Sequence, residues 1–231
     1  MGVGGRGVGA VEVTDVRIGL CAEDRAGADN VIAVFNRVAA ESAGPTAVWV
    51  GDDGKNYRKS RRAVPGTNKF GQGPRERSSW RTRPALKVAG NAWLEARDDS
   101  DLVVVATDID RKDERALSVE ERLTFAAYVP PLLAAGMNPE AEAWRIVLAD
   151  ESHGLDALKR ELTFDPTREP ERMTSTNGGL RDCKSISTRL FGNSPQASAV
   201  FDHHPDVLKA APAACGLSQF VNDLEVFLSR R

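Results

Sequence analysis

Carboxylates close two strand-like segments of this chain. Asp15 to Cys21 (DVRIGLC) runs through Ala22 into Glu23-Asp24, and Asp101 to Thr107 (DLVVVAT) ends in Asp108-Ile109-Asp110. The second segment is a nearly unbroken β-branched run, the composition of a strand buried on both faces of a parallel sheet. Open α/β sheets keep their ligands outside the carboxyl ends of their strands. If the two strands are neighbours, the two acidic groups converge there. Two carboxylates about 4 Å apart repel by about 4 kcal/mol at an effective dielectric of 20, and a divalent cation removes that cost. Oxygen ligands with water completing the shell suit Mg²⁺ or Mn²⁺, which usually take only one or two carboxylates from the protein. Any one of these acids could equally be a helix N-cap. Their joint occurrence is what points to a metal.

The elements that must position them follow from periodicity. After the polar turn Ala22 to Asp29, the residues Val31, Ile32, Val34, Phe35 and Val38 recur at helical spacing as far as the Gly44-Pro45 stop. Ala47 to Val50 is a second short strand, and Pro84 opens a helix running past Trp93 to Ala96. Ser118 to Ala135 has a helical pattern that Pro130-Pro131 should break or kink. A short strand or turn is expected around Met137 to Glu142, helix over Trp144 to Leu162, turns from Asp165 to Gly179, and helices again over Asp182 to Leu190 and Gln219 to Leu228. Alternating strand and helix predict an α/β fold with a mainly parallel central sheet flanked by helices. Residues 1–12 read as a flexible, glycine-rich lead-in and 13–231 as one domain with a basic insertion at 54–83.

The 231 residues are 41% hydrophobic and 28% charged, enough to build a packed core. No apolar run approaches the roughly 18 residues of a membrane span. The N-terminus lacks the apolar stretch of a secretion signal. Cys21, Cys183 and Cys215 are too widely spaced for a CxxC pair, and odd in number. A cytoplasmic protein is expected.

Charge is distributed unevenly. Between Gly54 and Arg83 stand Lys55, Arg58, Lys59, Arg61, Arg62, Lys69, Arg75, Arg77, Arg81 and Arg83 against the single acid Glu76; this net +9 leaves −11 for the remainder of a chain whose formal charge is −2. Pro65, Gly66, Gly71, Gly73, Pro74 and Pro84 leave no room for a long helix, so the segment reads as a loop. Tyr57, Phe70 and Trp80 lie among the cations. Rings beside phosphate-binding cations suit single-stranded or distorted nucleic acid. A solvated surface insertion is the bland reading of the same segment.

Other motifs carry no chemistry. Gly2-x-Gly4-x-x-Gly7 follows no strand and opens no helix, and neither GxxxxGK[ST] nor GxSxG occurs. His203-His204 before Pro205 lacks a third ligand and reads as a helix start or loop pair, His153 is isolated, and Cys21 is expected to act as a small hydrophobe.

Strand then Glu23, helix, strand then Asp108-x-Asp110, helix, resembles the TOPRIM domain of topoisomerases, primases and the overcoming-lysogenization-defect nucleases. In particular the chain looks like a group of bacterial TOPRIM-like proteins of about this length. Glu142-Ala143-Trp144 running to Leu148-Ala149-Asp150, Asp182-Cys183-Lys184, and Cys215 to Phe220 extend the likeness over roughly Val13 to Leu228. The resemblance implies that Glu23 is a general base or metal ligand and that Asp108 and Asp110 hold Mg²⁺ or Mn²⁺. It further implies Glu142 as an additional acid and Lys184 as a cation for phosphate. The chain departs from the pattern in having Asp24 where glycine usually follows the glutamate, and Arg111-Lys112 where glycine is common. Three functions follow as expectations: a metal-dependent nuclease acting on DNA or RNA, a non-catalytic subunit binding nucleic acid or a separate ATPase, and a protein-interaction domain whose acids are helix caps.

Overall fold

A computed structural model describes residues 15–42, 44–52, 54–59, 84–110, 112, 115–175, 179–192, 199–203 and 205–231. The expected flexible lead-in and most of the basic insertion lie outside these residues. The centre of the sheet is β1 (Val16–Ala22), in which every residue but Arg17 is buried. On one side it pairs with β2 (Ala47–Val50) and, further along, with the two-residue β3 (Arg58–Lys59). On the other side it pairs with β4 (Leu102–Asp108), which in turn pairs with β5 (Leu132–Met137). Every pairing is parallel, and the order is β2-β1-β4-β5. The chain leaves β1 in one direction and resumes with β4 on the opposite side. The carboxyl ends of β1 and β4 therefore flank a topological switch point, the position where such sheets open a ligand crevice.

Helices cover both faces. The larger core packs α1 (Arg25–Glu41), α4 (Glu142–Ile146), α5 (Leu155–Leu162), α6 (Cys183–Phe191), α7 (Pro205–Lys209) and α8 (Leu217–Leu228) around Ile18, Leu20, Leu102 and Val104. The smaller core sets α2 (Pro84–Ala96) and α3 (Val119–Ala126) against Cys21, Val103, Val105 and Leu132. Local chemistry fixes the helix starts. Asp24 accepts from the Gly27 N–H at 2.9 Å, Ser118 and Glu121 form a reciprocal capping box, and Asp182 accepts from the Ser185 N–H at 2.9 Å. No described helix is long and apolar enough to cross a membrane.

The α/β architecture expected from the sequence is present, with several local corrections. The helical pattern over Ser118 to Ala135 ends at Ala126, and the segment after Pro130-Pro131 is the strand β5. Its residues LLAAGM include no β-branched side chain, so pairing along β4 overrides local preference. The helix expected over Trp144 to Leu162 is α4, a short 3₁₀ turn and α5, divided by Gly154 at a left-handed φ of 76°. Helix α1 begins at Arg25, inside the segment expected to be a turn, because Asp24 caps it. Pro205 opens α7, in keeping with a helix start after the histidines.

One glycine couples the sheet to α8. Gly216 has φ of 84°, and a Cβ there would lie 2.0 Å from the Gly136 carbonyl oxygen at the end of β5. The same turn accepts hydrogen bonds at Cys215 O from the Trp144 indole N–H (2.8 Å) and from the Asn138 N–H (3.3 Å). Gly216→Ala is expected to lower stability by about 2 kcal/mol through left-handed strain and this collision, measured by urea denaturation. An unchanged midpoint would mean that the turn relaxes freely.

Candidate functional site

The crevice is assembled by strand ends. Glu23 follows β1, and its N–H donates to the Ala106 carbonyl of β4 at 3.3 Å, which places it beside the end of the strand that carries Asp108. The loop after β4 is held in turn by the loop after β5: the Ile109 N–H donates to Met137 O at 2.8 Å and the Asp110 N–H to Pro139 O at 2.9 Å. Asp110 sits at a left-handed φ of 51° and forms an ion pair with Arg115. Glu140 emerges from the same β5 loop, and Glu142 opens α4. Lys184, in the first turn of α6, reaches Glu140 at 3.7 Å.

Electrostatics show how closely these groups interact. The Asp108 carboxyl is pushed up to about 8, first by burial and then by the negative charges of Asp24, Glu23, Glu142 and Glu140. Glu140, only 6% exposed, is pushed up to about 7; burial leads, Lys184 opposes, and Glu142, Asp182 and Asp110 add to the rise. Burial works against the charge of Lys184, but Glu140, Glu142, Asp108 and Asp24 outweigh it and raise its pKa. Arg145 adds a partly buried cation on the α1 side. Its Nε donates to Asn30 Oδ1 at 2.8 Å, and Asn30 donates to Ala141 O at 2.7 Å, locking α4 to α1.

The sequence-predicted acids Glu23, Asp108, Asp110 and Glu142 and the cation Lys184 thus gather at one edge of the sheet, with differing local duties. Asp24 caps α1, and Asp110 is engaged by Arg115. Among the described residues no three His, Cys, Asp or Glu side chains are grouped as a ready-made metal cage. The donor set is nevertheless all oxygen, Asp108 is driven toward its protonated form, and Glu140 Oε2 is buried with no hydrogen-bond partner. These features fit a hard divalent ion bound by one or two carboxylates and water better than a closed site. Asp108 and Glu23 are the residues that would hold it.

Glu140, Asp182 and Arg115 are functional candidates that sequence reasoning missed. The strand-end rule that singled out Asp108 would also have found Glu140, but LLAAGM does not look like a strand. Asp182 is 2% exposed; its Oδ2 accepts from Ser185, whereas Oδ1 is buried without a hydrogen-bond partner. Arg115 follows a segment with no regular periodicity.

Of the basic candidates, Lys55, Arg58 and Lys59 are described; Arg61, Arg62, Lys69, Arg75, Arg77, Arg81 and Arg83 lie outside the described residues. Lys55 and Lys59 are exposed, and Lys59 belongs to β3 rather than to a loop. Arg58 serves the protein's own structure. Its guanidinium donates to Glu95 O, lies 3.3 Å from Asp99 and 3.6 Å from Asp52, and is only 14% exposed. Arg58→Ala is therefore expected to cost about 2 kcal/mol of stability, read by thermal melting. Unchanged stability would mean that these contacts carry no weight in the fold.

A half-open cavity of about 650 Å³, lined in part by Glu23 and Asp108, lies between α2, the ends of β4 and β5, and the start of α8. Val88, Ala89, Val105 and Ala134 give it an apolar wall; Lys112, Arg115, Asn138 and Gln219 give it polar ones. The cysteines lie elsewhere in function. Burial pushes the Cys21 thiol up to about 12 and Cys215 up to about 11, which makes both poor nucleophiles. His153 pairs with Asp150 at 2.8 Å in its own turn.

No family model, curated protein or solved structure matches this chain.

Proposed function

We propose that the chain is a Mg²⁺- or Mn²⁺-dependent nuclease of TOPRIM type that hydrolyses phosphodiesters of DNA or RNA. The observation carrying this reading is Asp108: at the end of β4 and beside Glu23, it stands among so many carboxylates that burial and repulsion push it up to about 8. Carboxylates held this close favour either a shared proton or a cation, and a divalent ion can satisfy several of them together. When bound, a divalent ion supplies positive charge that acidifies water and neutralises a phosphate. Asp108 and Glu23, which follow the two neighbouring strands, would hold it. Glu23, at the end of the neighbouring strand, would take a proton from the attacking water. Lys184, reaching over Glu140, offers its ammonium to a phosphate oxygen. Asp110 is available as a further ligand if Arg115 turns from it toward the phosphate.

The basic segment provides affinity. If about six of its cations meet phosphates, counterion release predicts roughly a thousandfold loss of duplex affinity between 50 and 200 mM salt. Replacing Lys55, Lys59, Arg61 and Arg62 with alanine is expected to flatten the slope by up to about four units, as read by fluorescence anisotropy. A slope that survives the four substitutions would place the phosphate contacts elsewhere. A separate ATPase belongs to the same proposal through the resemblance to TOPRIM-like proteins; the sequence contains no GxxxxGK[ST] loop of its own.

A second reading has support of its own. Asp24 is occupied as a helix cap and Asp110 by Arg115, an arrangement equally suited to a non-catalytic subunit that binds nucleic acid or a partner ATPase. Gel assays of labelled DNA and RNA with Mg²⁺, Mn²⁺ or EDTA separate the two. The nuclease reading predicts cleavage that EDTA abolishes. Salt-dependent binding without cleavage under either ion supports the subunit.

A further inference from the structure

We propose that the cavity beside Asp108 and Glu23 receives one unpaired nucleobase, adjoining a phosphate held at those carboxylates, so that the protein acts on single-stranded or frayed nucleic acid and not on matched duplex. The inference rests on the nuclease reading for the position of the phosphate, and on the cavity alone for the base.

Three features carry it. First, the cavity is a half-open cleft whose lining includes the two carboxylates proposed to meet the phosphate. Second, its volume of about 650 Å³ falls in the range of sites that enclose a single small ligand. One nucleoside fits such a space. A base still paired and stacked in a helix does not, and must leave the duplex to enter. Third, the lining divides as a nucleotide does. The half-buried Val88 of α2 and Ala134 of β5 give the cavity apolar walls against which a flat ring can lie, while Ala89 and Val105 behind them belong to the smaller core. Asn138 and Gln219 bring amide groups, which offer donor and acceptor together as a base edge requires. Part of that capacity is already committed. Asn138 Nδ2 donates to Ala214 O at 2.9 Å and Gln219 Nε2 to Asp223 Oδ1 at 2.8 Å, and these bonds orient the amide oxygens. Lys112 and Arg115 stand at the wall, where the sugar–phosphate chain would leave.

The small side chain of Ala134 leaves room in the slot, so enlarging it fills the space without touching the carboxylates. Equilibrium dialysis with labelled deoxyadenosine monophosphate in Mn²⁺, using the full chain, tests occupancy directly. Wild type is expected to bind, and Ala134→Phe is expected to bind about tenfold more weakly, while inorganic phosphate binds both alike. Val88→Phe fills the slot from the opposite wall and serves if Ala134→Phe melts early. In parallel, oligonucleotides of equal length and charge are compared as ordinary single strand, abasic strand and matched duplex. The ordinary strand should bind wild type about tenfold better than the abasic one, and the two variants should lose that preference. Mononucleotide binding that is absent in wild type, or equal in wild type and both variants, overturns the proposal, as does equal affinity for ordinary and abasic strands. A chain that holds the mononucleotide in this slot yet cuts nothing retains the base pocket and removes the nuclease reading. One that cuts matched duplex and single strand alike without holding the mononucleotide does the reverse.

Discussion

Glu23→Gln is expected to reduce cleavage on the order of a thousandfold while nucleic-acid affinity and its salt dependence stay unchanged. Glutamine keeps the size of the side chain and the backbone bond to Ala106 O that seats it beside β4. It removes the negative charge needed to accept a proton and to share a cation with Asp108. Affinity, on this account, comes from the cations of the basic segment and is insensitive to one carboxylate. Single-turnover cleavage at saturating substrate, followed alongside anisotropy, reads both quantities. Equal loss of binding and cleavage would assign Glu23 to substrate docking, and unchanged cleavage would remove it from the chemistry.

Asp108→Asn is expected to have the largest effect on stability. In the absence of divalent ions the folded Asp108 holds its proton up to about pH 8, whereas an unfolded aspartate releases it near its ordinary value of 3.8. Between those values the folded state binds more protons than the unfolded one, so stability falls as pH rises, by up to about 1.4 kcal/mol for each pH unit. The full loss above pH 8 amounts to as much as about 6 kcal/mol. Glu140, pushed up to about 7, contributes in the same direction over a lower window. Asparagine is neutral throughout. Urea denaturation in EDTA at about pH 5 and about pH 8 should show a shallower slope for the variant than for wild type, and a more stable variant at the higher pH. Identical slopes would mean that Asp108 is ionised and comfortable. A variant weakened at both pH values would make it a structural hydrogen-bond partner.

How much of this was legible in the sequence depends on the residue. The β-branched run before Asp108 announces a buried strand, and the acid after it inherits its position from the general geometry of parallel sheets. Glu23 is legible for the same reason. Glu140 is not, because β5 is built from leucine, alanine and glycine and acquires its strand character from pairing with β4. Pairing partners also decide what a charged residue does. Arg58 belongs to a cationic run in sequence, yet Asp52, Asp99 and the Glu95 carbonyl claim it in the fold. The engagement of Asp110 by Arg115 depends on the left-handed turn at Asp110, which no local pattern foretells. Nor does any periodicity reveal a cavity whose lining comes from α2, the ends of β4 and β5 and the start of α8, elements far apart in sequence.

The central claim is that Asp108 and Glu23 form a divalent-cation site at the switch point between β1 and β4. Titration of Mn²⁺ into wild type and Asp108→Asn by isothermal calorimetry near pH 8, with no nucleic acid present, tests it most directly. The account predicts saturable binding to wild type, with uptake of the ion releasing the Asp108 proton, and loss of that binding and proton release in the variant. Equal affinity in the two proteins, or no binding to wild type, would contradict it.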